Sequence, residues 1–246
     1  MAIKIEALTD LGKRKDNQDS LLAMTLRSGG SDCIIAAVAD GVGSLADSRL
    51  ASQFLTARLR KYFDEVGEAL FKGSFVNIQH SIYTKLIEAH DEMRHVAQDK
   101  GYEYGTTLTL LVVIENSYIV YQVGDSRCYC MSEGVVRQIT RDQTVAEKER
   151  DLGIEIVNQS DDVKRSTILQ CFGKGGMQPD VYTGILGPNF KLLVSTDGLT
   201  NNMRNREILS ELSRTETTKH KLENLITTAR GKGERDNISA ILIEVM

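Results

Sequence analysis

Five aspartates stand at the ends of apolar runs. Ile34 to Ala39 leads into Asp40-Gly41, Tyr118 to Val123 into Gly124-Asp125, and Leu192 to Thr196 into Asp197-Gly198. Asp236-Asn237 opens the run Ile238 to Val245, and Asp19 opens an early strand. Turn chemistry accounts for any one of them, because Asp-Gly tolerates positive φ and favours hairpins. It accounts less well for the set: Asp40-Gly41 and Asp197-Gly198 lead towards helices, not partner strands. Strand ends on one edge of a sheet sandwich can converge. Several carboxylates brought together repel one another and stay ionised only with counter-charge. Oxygen donors without His or Cys suit Mg or Mn rather than Zn. Two such ions about 4 Å apart can share a hydroxide and screen the site for an anionic substrate. An arginine fork would then hold phosphate oxygens. The triplet Lys13-Arg14-Lys15 lies just upstream of Asp19 and supplies a candidate, although a solvated basic loop reads the same way.

The elements that must position these residues can be read from composition and periodicity. The chain has 246 residues, 41% of them hydrophobic and 26% charged, which fits a globular protein with a sizeable core and excludes disordered, collagen-like and coiled-coil classes. We expect one domain over residues 1–246. With 30 Lys and Arg against 34 Asp and Glu, no basic excess supports bulk nucleic-acid or anionic-membrane binding. No apolar run reaches the roughly 18 residues of a membrane span. No secretory h-region is visible at Met1 to Glu6, so a cytoplasmic protein is expected. Cys33, Cys128, Cys130 and Cys171 form no C-x-x-C and read as buried reduced thiols. His80, His90, His95 and His220 fall on predicted helices in no ligand pattern.

Alternation predicts strands at Ile3 to Ala7, Leu21 to Met24 and Ile34 to Ala39. Helical spacing marks Ala46 to Val66 and Ser74 to Gln98. The runs Thr106 to Ile114, Tyr118 to Val123, Arg127 to Met131 and Val135 to Ile139, split by short turns, predict an antiparallel meander. Arg141 to Arg165 is charged and weakly periodic, a helical flap with Val145 and Leu152 as its few anchors. Strands at Val181 to Leu186 and Phe190 to Val194, helices at Arg206 to Leu212 and His220 to Ala229, and a last strand at Ile238 to Val245 complete the pattern. Helices come in blocks between antiparallel strands, which is α+β layering.

Six segments, in order, resemble the motifs of the metal-dependent protein phosphatases of type 2C. They are Thr9-Asp10-Leu11-Gly12 through Asn17-Gln18-Asp19, Ala39-Asp40-Gly41-Val42-Gly43, Gly105-Thr106-Thr107, Val123-Gly124-Asp125-Ser126-Arg127, Ser195-Thr196-Asp197-Gly198-Leu199 and Arg235-Asp236-Asn237-Ile238-Ser239. The similarity runs from Asp10 to Val245, and the size is that of bacterial catalytic-domain-only members. The resemblance implies a four-layer α-β-β-α sandwich, two antiparallel sheets flanked by helices. It implies two Mn or Mg ions and a third, weaker one. Asp40 would bridge the pair, with the Gly41 carbonyl on one ion. Asp197 and Asp236 would complete the other, and Asp19 would act mainly through water. Asp125, with Asp197, would hold the third. Arg14 would clamp the substrate phosphate, Asn237 would orient Asp236, and the flap at about 141–165 would affect substrate choice.

The chain departs from the family pattern in places. The loop from Gly12 to Asp19 is one residue short, so Lys13 or Lys15 could take the Arg14 role. Ser44 stands where many relatives have Gly, and Gln143 where a His is common, with little loss expected from either. Val42 occupies the place of the His proposed as general acid in animal members, as an apolar residue does in bacterial ones. The implied activity is hydrolysis of phosphoserine or phosphothreonine on proteins by a metal-bridging hydroxide, with a Ser/Thr kinase as partner and a monomeric enzyme. The alternatives are a phosphoprotein-binding regulatory module of the same fold and a phosphohydrolase of a non-protein phosphoester. No Cys or Ser has the neighbouring base that a covalent route requires.

Overall fold

The structure, a computed structural model, describes residues 3–43, 45, 47–67, 69–154 and 160–245, with the side chains of 160–162 outside that set. Ser44, one of the departures above, lies outside the described residues.

Three strands open the chain: β1 (Ile3–Asp10), β2 (Asp19–Ser28) and β3 (Ser31–Asp40). Helices α1 (Ser48–Val66), α2 (Ala69–Lys72) and α3 (Phe75–Lys100) follow, then β4 (Leu108–Ile114), β5 (Ser117–Val123), β6 (Arg127–Ser132) and β7 (Val135–Gln138). Next come α4 (Val145–Asp151), α5 (Ser160–Ser166), β8 (Asp180–Ile185) and β9 (Lys191–Ser195). Finally α6 (Asp197–Thr200), α7 (Asn205–Leu212) and α8 (Thr218–Gly231) precede β10 (Ile238–Val245).

The strands form two antiparallel sheets, ordered β1-β10-β9-β6-β7 and β2-β3-β4-β5-β8. Strand alternation sorts side chains between layers. From β3, Ile34, Ala36 and Val38 enter the core between the sheets, with Val194, Ile241 and Ile243 facing them. Cys33, Ile35 and Ala37 point the other way, onto α1 and α3 through Leu55, Leu59 and Ile82. From β10, Ala240 and Leu242 pack with Leu222 and Leu225 of α8. Strands covered on both faces need no polar side, hence the unbroken apolar runs at β3 and β10. This is the expected four-layer α-β-β-α sandwich.

The predicted meander is corrected. β4 and β5 pair, and β6 and β7 pair, but β5 belongs to one sheet and β6 to the other. Gly124-Asp125-Ser126 is therefore a crossing between layers, not a hairpin turn. Thr106, predicted to begin β4, instead makes isolated bridges to Gly41 and Phe172. In the predicted flap, Leu152 is no anchor: it is 70% exposed, and Ala146 is the buried apolar residue among those described. Ion pairs hold this segment, Arg141 to Glu147 and Asp151 and Lys164 to Glu149. The four thiols are free, with Cys130 partly exposed and the others buried. His90 is buried, and His80, His95 and His220 are exposed on helices. Among the described residues no helix is long and apolar enough to cross a membrane.

Candidate active site

Register brings the aspartates together. β2 and β3 pair with Asp19 opposite Asp40, so both carboxylates close one end of the same sheet. In the other sheet Ala240 pairs with Ser195, which sets Asp197, just past β9, beside Asp236, just before β10. Asp125 joins them because β5 crosses to β6 at that end. The Asp40 side chain and the Asp236 charge both act on the Asp197 carboxyl. Asp40 feels the charges of Asp19, Asp197, Asp125 and Asp236.

The backbone at these positions is fixed by side chains. Thr106 Oγ1 and Thr107 N donate to the Asp40 carbonyl, both at 2.8 Å, and Asp40 N donates to Thr107 Oγ1 at 3.1 Å. Gly41 N donates to Gln18 O, joining the Asp40 turn to the entry of β2. Thr196 Oγ1 donates to Asp19 Oδ2 at 3.0 Å and accepts from Ser239 N at 3.0 Å, so one hydroxyl links the two sheets. Asn201 donates to Asp197 Oδ2 at 3.0 Å. Gly198 sits against the Asn237 carbonyl so closely that a Cβ would lie 2.1 Å from that oxygen. Thr107, Thr196 and Asn201 carried no role in the sequence reading. The contacts of Thr107 and Thr196 join segments far apart in the chain, whereas Asn201 lies four residues from Asp197.

Arg14 lies at the mouth, forked onto Asp236 with Nε 2.9 Å from Oδ1 and Nη2 2.6 Å from Oδ2. Its pKa is raised by the Asp236 hydrogen bond and by the charges of Asp236, Asp40 and Asp197. Lys13 and Lys15 are exposed, with no ion pair among the described residues. The Asn237 side chain makes no hydrogen bond to the Asp236 carboxylate. Its Nδ2 donates to Leu11 O and Asp16 O, and its Oδ1 accepts from Gln18 N, which braces the loop carrying Arg14. Its backbone N–H donates to Asp236 Oδ1 at 2.8 Å.

The electrostatics are those of a site short of positive charge. Burial, with only partial relief from hydroxyl hydrogen bonds, pushes Asp19 up to about 7. Burial first, then neighbouring carboxylates, raises Asp40 and Asp125 well above the usual carboxylate value. Burial also raises Asp197. Asp19 Oδ1 and Asp197 Oδ1 are buried without a hydrogen-bond partner. A buried acceptor left unpaired costs about 1–3 kcal/mol, more when charged. Hard divalent cations fit this donor set. Among the described residues no three acidic side chains form a closed cage as they stand, and Asp236 is turned onto Arg14. A cavity of about 590 Å³ at the opposite strand ends is lined by Ile3, Phe190, Val245, Asp32 and Glu115, an apolar and acidic lining that does not suit a phosphate.

A family model described as "Protein phosphatase 2C" matches residues 11–242. The chain belongs to the protein phosphatase 2C family. Members of this family are metal-dependent phosphatases. Among relatives, "Protein phosphatase PhpP" of Streptococcus pneumoniae serotype 2 is 29% identical over 248 residues, covering 99% of this chain and 98% of the relative. "Serine/threonine phosphatase stp" of Listeria innocua is 26% identical over 214 residues, 85% of this chain and 84% of the relative. The sandwich matches the S. agalactiae serine/threonine phosphatase structure with a TM-score of 0.82 at 24% identity, over the whole of both chains. It matches the Mycobacterium tuberculosis serine/threonine phosphatase PstP/Ppp with a TM-score of 0.79 at 25% identity, covering 100% and 99% of the chains. The protein phosphatase 2C match thus covers Asp19, Asp40, Asp125, Asp197 and Asp236.

Proposed function

We propose that this protein phosphatase 2C member hydrolyses phosphoserine and phosphothreonine monoesters on proteins. The observation that carries the reading is the gathering of Asp19 and Asp40 in one sheet with Asp197 and Asp236 at the facing end of the other, with orphaned carboxylate oxygens on Asp197 and Asp19. In this reading Asp40 and the Gly41 carbonyl, with Asp197 and Asp236, hold two Mn or Mg ions. Asp19 supports them at one remove, and Asp125 with Asp197 takes a third. Such ions, when bound, supply Lewis acidity and counter-charge.

The chain's own residues do the positioning. Arg14 exchanges Asp236 for the substrate phosphate, since the fork that fits a carboxylate also fits two phosphate oxygens. Thr106 and Thr107 fix both peptide groups of Asp40, so its carboxylate is placed before any ligand arrives. Asn237 keeps the Arg14 loop on the Asp236 side. Val42 leaves no ionisable side chain immediately after Asp40-Gly41 to protonate the leaving alkoxide.

The finer reading is of a monomeric cytoplasmic enzyme whose substrates include the products of a Ser/Thr kinase. Residues 1–246 act as one catalytic domain, with 141–165 as a flap that contributes to substrate choice. Turnover of p-nitrophenyl phosphate with and without Mn2+ separates an enzyme from a phosphoprotein binder. Phosphopeptides assayed against nucleotides then separate a protein phosphatase from a phosphohydrolase of other esters. Mn2+-dependent turnover of phosphopeptides is expected. Its absence, with the aspartates intact, would refute the reading.

A further inference from the structure

Gln143 replaces a family His and has no part in the function so far, yet every polar atom it carries is engaged. It is buried, and so is Gln122 of β5. The two residues grip Gly124, the residue before Asp125, at its N–H and its carbonyl. Gly124 N donates to Gln143 Oε1 at 2.8 Å, and Gly124 O accepts from Gln143 N and from Gln122 Nε2, both at 2.9 Å. Gln122 Nε2 also donates to Ser126 O at 2.7 Å, and its Oε1 accepts from Thr109. Gly124 has φ +98, and a Cβ there would lie 2.6 Å from Thr107 Cγ2. Thr107 in turn fixes Asp40. The turn therefore excludes a side chain at Gly124 and packs on the Asp40 support.

Gln143 also bonds residues that follow the 145–166 segment. Its Oε1 accepts a second bond from Gln170 Nε2 at 2.9 Å, and its Nε2 donates to Asp180 Oδ2 at 2.9 Å. Leu169 N donates to Gln143 O, and Val145 N to Thr167 O, so residues 143–145 and 167–169 form a two-stranded neck below α4 and α5. The amide orientation follows from its partners: only oxygen can accept from Gly124 N–H, and only NH2 can donate to a carboxylate.

We propose that Gln143 is a positioning residue that sets the Asp125 turn and the neck of the 145–166 segment as one unit, with Gln122 as the fixed half of the clamp. A loosened neck then displaces Asp125, and a displaced Asp125 turn loosens the neck. The geometric part stands without any ion. Its consequence for metal affinity rests on the proposed reading of Asp125.

Hydrogen exchange on the ion-free full chain tests the first part. In Gln143→Leu the Gly124, Val145 and Leu169 amides are expected to exchange at least about tenfold faster, while β3 and β10 keep their protection. Gln143→Glu keeps an acceptor for Gly124 N–H and loses the donor towards Asp180, so it should loosen Val145 and Leu169 while Gly124 stays protected. Gln143→His retains one donor and one acceptor and should restore Gly124. In calorimetric Mn2+ titration, Gln143→Leu should weaken the weakest class of sites by about tenfold and leave the tightest within about twofold. Unchanged exchange at Gly124 and Leu169 in folded Gln143→Leu would overturn the proposal. So would loss of protection spread evenly into β3 and β10. Localised exchange with an unchanged Mn2+ titration supports the clamp and contradicts the ion assignment of Asp125. Should Gln143→Leu not fold, the Gln143→Glu exchange pattern decides, and an unaltered neck there overturns the proposal.

Discussion

Thr196 and Asp19 lie 177 residues apart in the chain, yet the Thr196 hydroxyl donates to the Asp19 carboxylate at 3.0 Å across the gap between the two sheets. The other oxygen of Asp19 has no partner. Thr196→Val removes the donor and leaves Ser239 N without its acceptor. Ion-free protein should lose about 1–3 kcal/mol of stability in urea denaturation. Saturating Mn2+ should recover part of that loss, because a ligand of the folded state alone stabilises it.

Arg14 occupies Asp236 where a phosphate-bound arginine would be free of it. The pair is largely exposed, with side-chain accessibilities of 53% and 34%, so it adds little to stability. Arg14→Ala should therefore unfold at the wild-type midpoint. Its KM for a phosphopeptide should rise by about 10- to 100-fold, the range of a lost charge-assisted hydrogen bond. A wild-type KM in Arg14→Ala combined with a raised KM in Lys13→Ala or Lys15→Ala would move the clamp to that lysine.

Glu244, on β10 roughly 20 Å along the strand from Ile238, tests a region remote from the chemistry. It accepts from Thr218 Oγ1 at 2.6 Å and from Lys221 and Lys191 at 2.7 and 2.9 Å. Burial raises its pKa, but these hydrogen bonds outweigh burial and hold it below the usual 4.5. A depressed carboxylate contributes stability that is present above its unfolded pKa and lost as pH falls through its folded value. Wild-type stability should accordingly fall with acid below about pH 4.5. Glu244→Gln should flatten this dependence and cost about 3–5 kcal/mol at pH 7, since Lys221 remains buried, beside a half-buried Lys191. Activity per folded molecule should not change. Denaturation midpoints measured from pH 3 to 7 check both effects.

The aspartates and the layers were legible because each rests on a local signal: an apolar run, then an acid beside a small residue. The routing of β5 and β6 was not. Gly124-Asp125-Ser126 looks like a hairpin turn, and nothing local reveals that β5 hydrogen-bonds to β4 and β8 while β6 bonds to β9. Asn237 was legible as a site neighbour, but its side chain serves the loop from Leu11 to Gln18, a partner more than 200 residues away. Gln143 looked like a harmless replacement for the same reason: its partners come from β5, the loop before β8 and the start of β8. Leu152 misled because an apolar residue in a charged segment suggests an anchor, whereas ion pairs hold that segment.

The central claim is that Asp40 and its neighbours hold the divalent ions on which turnover depends. Asp40→Asn keeps the shape and removes the charge, so phosphopeptide turnover at saturating Mn2+ should fall by about 10³-fold or more, matching the loss of several kcal/mol of charge stabilisation, and Mn2+ affinity should weaken by calorimetry. A folded Asp40→Asn protein that turns over phosphopeptide at the wild-type rate with Mn2+ would contradict it.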